Sequence, residues 1–141
     1  MNAFENKQKM NNYLKFIVLL LLVSGVSFAL HIFTLVGMDK VSYWEETNYS
    51  LEGMYIFGFI TSLFVILFIL LAQWAMPKKL GLVFLGLMTV KTIASYIYIH
   101  DGLNLFEHDF IEYNFLVVFF VFLFLDVFVA FRVINEADRA D

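Results

Sequence analysis

The stretch MYIFGFITSLFVILFILLAQWAM, residues 54–76, decides the fold. It carries no charged side chain, and it is apolar on every face of a helix. Its length matches the ~20 residues that cross a ~30 Å hydrocarbon core as a helix. A membrane strand would be nearer ~10 residues and would alternate polar with apolar. Working outward, three further runs have the same character: Phe16 to Val36, Leu80 to Ile99 and Phe115 to Val133. The composition agrees, at 62% hydrophobic and 16% charged, against about 45–50% and about 25% in a soluble domain. The reading is an all-α, polytopic membrane protein with four transmembrane helices, over about 13–36, 53–76, 79–99 and 112–134. These form one integral membrane domain over residues 1–141, with an amphipathic lead-in from Phe4 to Leu14.

The first run has features of a cleaved signal: a basic flank of Lys7, Lys9 and Lys15, and the triplet Ser27-Phe28-Ala29. Its apolar stretch continues through Leu30, Ile32, Phe33, Leu35 and Val36. That exceeds the about 7–15 residues of a signal core, so it is read as a retained anchor.

Lysines and arginines flanking the spans set orientation. They sit in the N-terminal segment, in Pro77-Lys78-Lys79, and at Arg132 and Arg139. The other two connections are acidic: Asp39, Glu45, Glu46 and Glu52 beside Lys40, then Asp101, Glu107, Asp109 and Glu112. With four spans, all three basic flanks fall on one side, which predicts both termini in the cytoplasm. Trp74 marks the inner boundary, while Tyr43, Trp44, Tyr96, Tyr98 and Tyr113 cluster at the outer one, where amphipathic rings are favoured. The short second connection predicts a tight hairpin of helices two and three, with Pro77 at the start of the third.

Soluble-enzyme chemistry has no foothold in the motifs. Nucleotide-binding glycine loops, the nucleophile elbow and H-E-x-x-H are all absent. Without Cys there are no disulfides and no thiolate metal sites. Asp101 to Glu112 begins and ends like a calcium loop but puts Leu103, Leu105 and Phe106 where oxygen ligands and a Gly are needed.

Ionisable groups inside the spans are more informative. Lys91 lies twelve positions from Lys79, and Asp126 six positions from Arg132. At 1.5 Å per residue these are ~18 Å and ~9 Å from the inner boundary, a difference that a flexible Lys side chain largely covers. A lone Lys at mid-membrane costs ~2.5–3.5 kcal/mol on insertion scales, so a Lys91–Asp126 pair is expected. Such a pair is either a clasp that fixes helix register or part of an ion or proton path. Further polar groups are Ser24, Ser27 and His31 on one face of the first helix, and Lys91, Ser95 and Tyr98 on the third with Thr92 beside them. Gly58 and Ser62 give the second helix a small-xxx-small packing site. His31 and His100, both toward the outer side, offer a pair of haem ligands, and the outer-loop histidines and carboxylates offer a weak cation site. A polar interior and a solvated loop account for them better, so no cofactor and no metal are expected. Nor is nucleic acid; the partners implied are the lipid bilayer and other membrane subunits or further copies of this chain.

The stretches FLGLMTVKTIASY (Phe84 to Tyr96) and NFLVVFFVFLFLDVF (Asn114 to Phe128) resemble small four-helix membrane proteins of Bacteroidetes-type bacteria, which carry no assigned activity. The architecture is also similar to ATP synthase protein I, including a Lys in the third helix, here Lys91; Thr89-Val90 stands where that family has Gly-Glu. The resemblance implies a role beside an ATP synthase or respiratory complex of a bacterial inner membrane. With the small size, the lack of soluble domains and of catalytic motifs, and the interior polar groups, the expectation is a non-enzymatic accessory protein; the alternative is a small ion or proton transporter using Lys91 and Asp126.

Overall fold

The computed structural model describes residues 3–140, and four long helices dominate it: α1 Ala3–Gly37, α2 Leu51–Ala75, α3 Leu80–Ile99 and α4 Phe110–Ala140. No strand occurs among the described residues. All four helices are long and apolar enough to cross a membrane. The molecule is an all-α, multi-pass membrane protein.

Two helices outrun the expected bounds. α1 starts ten residues before position 13 (13 to 3), and α4 reaches 140 rather than 134. An apolar run marks only what hydrocarbon covers, whereas a helix continues through polar turns that water can solvate. The lead-in over Phe4 to Leu14 is therefore the first part of α1, not a separate element. Residues 1, 2 and 141 of the expected domain lie outside the described residues.

Local chemistry sets the helix ends. α1 stops at Asp39, which adopts a left-handed φ of 55°. Lys40 N–H then bonds the Leu35 carbonyl at 3.1 Å, and Asp39 N–H bonds that of Val36 at 3.1 Å. This is a Schellman cap with Asp, one of the few residues tolerant of that conformation, in place of Gly. α2 is capped by Ser50, whose Oγ accepts from Gly53 N–H at 3.0 Å. Pro77 opens a single 3₁₀ turn, Pro77–Lys79, that delivers the chain into α3.

α2 is the hub, packing on each of the other three helices, most extensively on α4. Its sequence is apolar all round, yet its two faces differ in kind. The buried face carries Gly58, Ser62, Val65, Ile66 and Ile69, and the exposed face Ile56, Ile60, Phe64, Phe68 and Leu71. Small residues let helices approach, while large apolar residues lose nothing by facing lipid. α1 is the loosest member. Its buried residues are Phe16, Leu20 and Leu35, with none among the described residues between Leu20 and Leu35. It lies mainly against α2, leaving a seam between α1 and α4. The bundle thus has one end with Lys78 and Lys79 (the lysine end) and another with the two acidic connections (the acidic end).

Candidate functional site

Three helices bring the intramembrane charges together. Lys91 of α3 forms an ion pair with Oδ2 of Asp126 on α4, and its Nζ also donates to Ser62 Oγ of α2 at 2.8 Å. Lys91 is 4% exposed and Asp126 is fully buried. The ammonium also lies 5.9 Å from the centre of the Phe122 ring, one turn before Asp126. Gly58 makes room for that ring: a Cβ at position 58 would fall 2.3 Å from Phe122 Cδ2. The small-xxx-small pair therefore has two distinct functions. Gly58 seats an aromatic ring rather than a helix backbone, and Ser62, one turn on, accepts a hydrogen bond from the ammonium. A void of about 10 Å³ adjoins Lys91, Gly58, Phe122 and Ser95. Ser95 Oγ and Asp126 Oδ1 are buried without a hydrogen-bond partner.

A second polar cluster lies toward the acidic end, where α1, α2 and α4 meet. His31 Nε2 is 2.7 Å from Asn114 Oδ1, and His31 Nδ1 is 3.1 Å from the Tyr55 hydroxyl. The amide of Asn114 is oriented by its own NH₂, which donates to the Phe110 carbonyl at 2.7 Å. Its oxygen must then face His31, so Nε2 carries the proton. In the neutral ring Nδ1 accepts from Tyr55. Tyr55 and Asn114 are both buried, at 6% exposed each, and His31 is half-buried. Neither Tyr55 nor Asn114 stands out in the sequence, since tyrosines and amides are common near membrane boundaries. The one available signal was an Asn immediately before the fourth apolar run.

The remaining candidates separate. Ser24 and Ser27 are half-buried on the His31 side of α1, and Ser24 Oγ has no partner. Thr92 was expected beside an interior stripe of α3, but it is exposed. Its hydroxyl bonds the Met88 carbonyl at 2.8 Å, which satisfies it within its own helix and lets it face outward. Tyr98 stacks on Phe57 with ring centres 4.4 Å apart, and its carbonyl accepts from the Tyr49 hydroxyl at 2.9 Å. Burial raises the Tyr49 phenol above its ordinary pKa, and the Asp101 carboxylate adds to that.

The histidines do not converge. His31 is engaged by Tyr55 and Asn114, His100 is exposed and pairs with Asp101 at 3.2 Å, and His108 stacks on Tyr43 and Phe106. Among the described residues no three His, Asp or Glu side chains form a metal-binding group.

Compared with known proteins, the chain matches no family model, no curated protein and no solved structure.

Proposed function

We propose that this chain is a non-enzymatic accessory or structural subunit of a larger bioenergetic membrane assembly, an ATP synthase or a respiratory complex. It lies in a bacterial inner membrane with both termini cytoplasmic. The observation that carries this reading is the enclosed charge pair. Lys91 and Asp126 neutralise each other against Ser62 inside the bundle, so they fix the register of α2, α3 and α4. The outward faces are left to large apolar residues such as Phe64, Ile93, Ile97 and Phe124, all exposed. A conduit needs ionisable groups that ions or protons can reach, whereas these two are sealed. Orientation rests on the basic flanks: Lys78 and Lys79 share the lysine end with the N-terminal lysines and Arg139, opposite the acidic loops.

The test is capture of the tagged chain, at native expression level, from membranes opened with a gentle detergent. Co-migration with an ATP synthase or respiratory complex on a native gel is expected. A free monomer would sink the idea. The rival is a small ion or proton carrier using Lys91 and Asp126, and it draws on the unpartnered Asp126 Oδ1. Identical flux in vesicles carrying wild type or Lys91→Ala would remove it.

A further inference from the structure

At the acidic end the seam between α1 and α4 widens into a cleft of about 690 Å³, within the ~300–1,000 Å³ of small-molecule sites. Along α1 and the residue after it, the cleft runs from Ser27 to Met38, eleven positions or ~16 Å. Along α4 and the residue before it, the cleft runs from Asp109 to Val121. Three zones succeed one another. Nearest the loops, Tyr43, His108 and Phe110 supply rings, and Lys40 and Asp109 carry opposite charges. At mid-depth lie His31, Tyr55 and Asn114. Toward the bundle centre the walls are Leu30, Val117 and Val121, with Leu30 and Val117 also exposed on the outer faces of their helices. The cleft is thus open sideways, to lipid.

The bonding capacity left at mid-depth defines what fits. With Nε2–H given to Asn114 and Nδ1 filled by Tyr55, the Tyr55 oxygen and the second lone pair of Asn114 Oδ1 remain as acceptors. The second N–H of the Asn114 amide, whose first goes to the Phe110 carbonyl, remains as a single donor. None of these groups carries a formal charge, so an uncharged hydroxyl, which donates and accepts, matches them. An acyl chain would lie across two buried acceptors with nothing to offer them, which is costly in a dry site.

We propose that this cleft binds an uncharged amphiphile of the hydroquinone class, with a hydroxyl-bearing aromatic head and an aliphatic tail. The head lies against Tyr55 and Asn114 beneath the Tyr43–Phe110 rings. The tail follows Val117 and Val121 toward the membrane centre. The proposal concerns binding only and does not depend on the accessory role.

The protein reports on itself. Trp44 packs edge-on against Phe110, ring centres 4.8 Å apart, and Trp74 lies near the opposite end over Lys9. In a Trp74→Phe background, Trp44 emission is followed while decylhydroquinone, kept reduced, is titrated into protein in nanodiscs. A saturable change is expected, at least tenfold tighter than for decylbenzene, which has the tail and ring but no hydroxyl. Tyr55→Phe should weaken hydroquinone binding about tenfold, the loss of one hydrogen bond of ~1.4 kcal/mol, with decylbenzene unchanged. Val121→Phe, which fills the tail channel without adding an indole, should abolish saturation while the melting transition persists; Val117→Phe at the rim replaces it should Val121→Phe not fold. Linear, non-saturating partition, equal affinity for the two probes, or unchanged binding in the folded channel-filling variant would each overturn the proposal.

Discussion

Two buried polar clusters occur among the described residues, and they differ in nearly every respect. One is charged and closed: Lys91, Asp126 and Ser62, among α2, α3 and α4. The other is uncharged and open: His31, Tyr55 and Asn114, among α1, α2 and α4, on the wall of a cleft. The closed one lies where helices pack through small residues and a seated ring. The open one lies where α1 has no buried residue for two turns and more. A formal charge in hydrocarbon demands a partner and a seal, because its desolvation cost is several kcal/mol. Neutral hydrogen-bonding groups cost less and tolerate an opening. The contrast is what the proposed clasp and the proposed binding cleft each require: a sealed pair in one place and an accessible set of neutral groups in the other.

The sharpest way to break the contrast is to strand one charge. Asp126→Ala leaves Lys91 buried without its counter-ion, and a loss of about 3–5 kcal/mol is expected. The double variant Lys91→Ala/Asp126→Ala should lose less, because neither charge remains. Unfolding from mixed micelles measures both. Equal losses would mean that the two residues are not coupled.

Next in size is the seat beneath the ammonium. Gly58→Ala brings a Cβ 2.3 Å from the Phe122 ring, which is itself fully buried. Overpacking of this kind costs about 1–3 kcal/mol. Phe122→Leu in the same chain should restore part of it. If Gly58→Ala alone melts like wild type, the ring has space to turn and the closed cluster is looser than described.

The open cluster should respond more mildly. His31→Phe removes two hydrogen bonds, but the cleft lets water or a head group reach Tyr55 and Asn114. A loss of about 1 kcal/mol is expected. A cycle of His31→Phe with Tyr55→Phe should show coupling of similar size. A loss as large as that of Asp126→Ala would erase the distinction between the clusters.

The two clusters were not equally legible in the sequence. Lys91 and Asp126 are conspicuous because charges are rare in apolar runs, and rise per residue alone places them within reach. The triad is hidden. His31 is visible, but Tyr55 and Asn114 are ordinary residues for a membrane boundary, and their meeting depends on how α1 leans. The four spans were legible from apolar length, which the bilayer dictates. Which face of each span turns inward was not, since lipid and core are both apolar and the hydrophobic pattern is nearly flat. Thr92 shows the consequence: it shares a stretch with Lys91 and Ser95 yet faces outward, its hydroxyl satisfied by its own helix. Small residues at Gly58 and Ser62 were the better guide to the inner face.

The smallest effect bears on how dry the closed cluster is. Ser95 lies one turn from Lys91, buried and without a partner for its hydroxyl, beside the void of about 10 Å³. That volume is at the lower limit for a single water, which needs ~10–15 Å³ and two or more polar partners. In a dry site the hydroxyl is an unsatisfied group, and Ser95→Ala should leave stability within ~0.5 kcal/mol of wild type, or raise it. In a wet site the same change removes one end of a bridge to the third N–H of Lys91, and stability should fall by about 1 kcal/mol. The expected result is the dry one, because a clasp gains most from a medium that cannot screen it. A fall of 1 kcal/mol or more would put water on the ammonium. The difference between a sealed charge pair and an open triad would then shrink toward the rival reading of Lys91 as a step on a path.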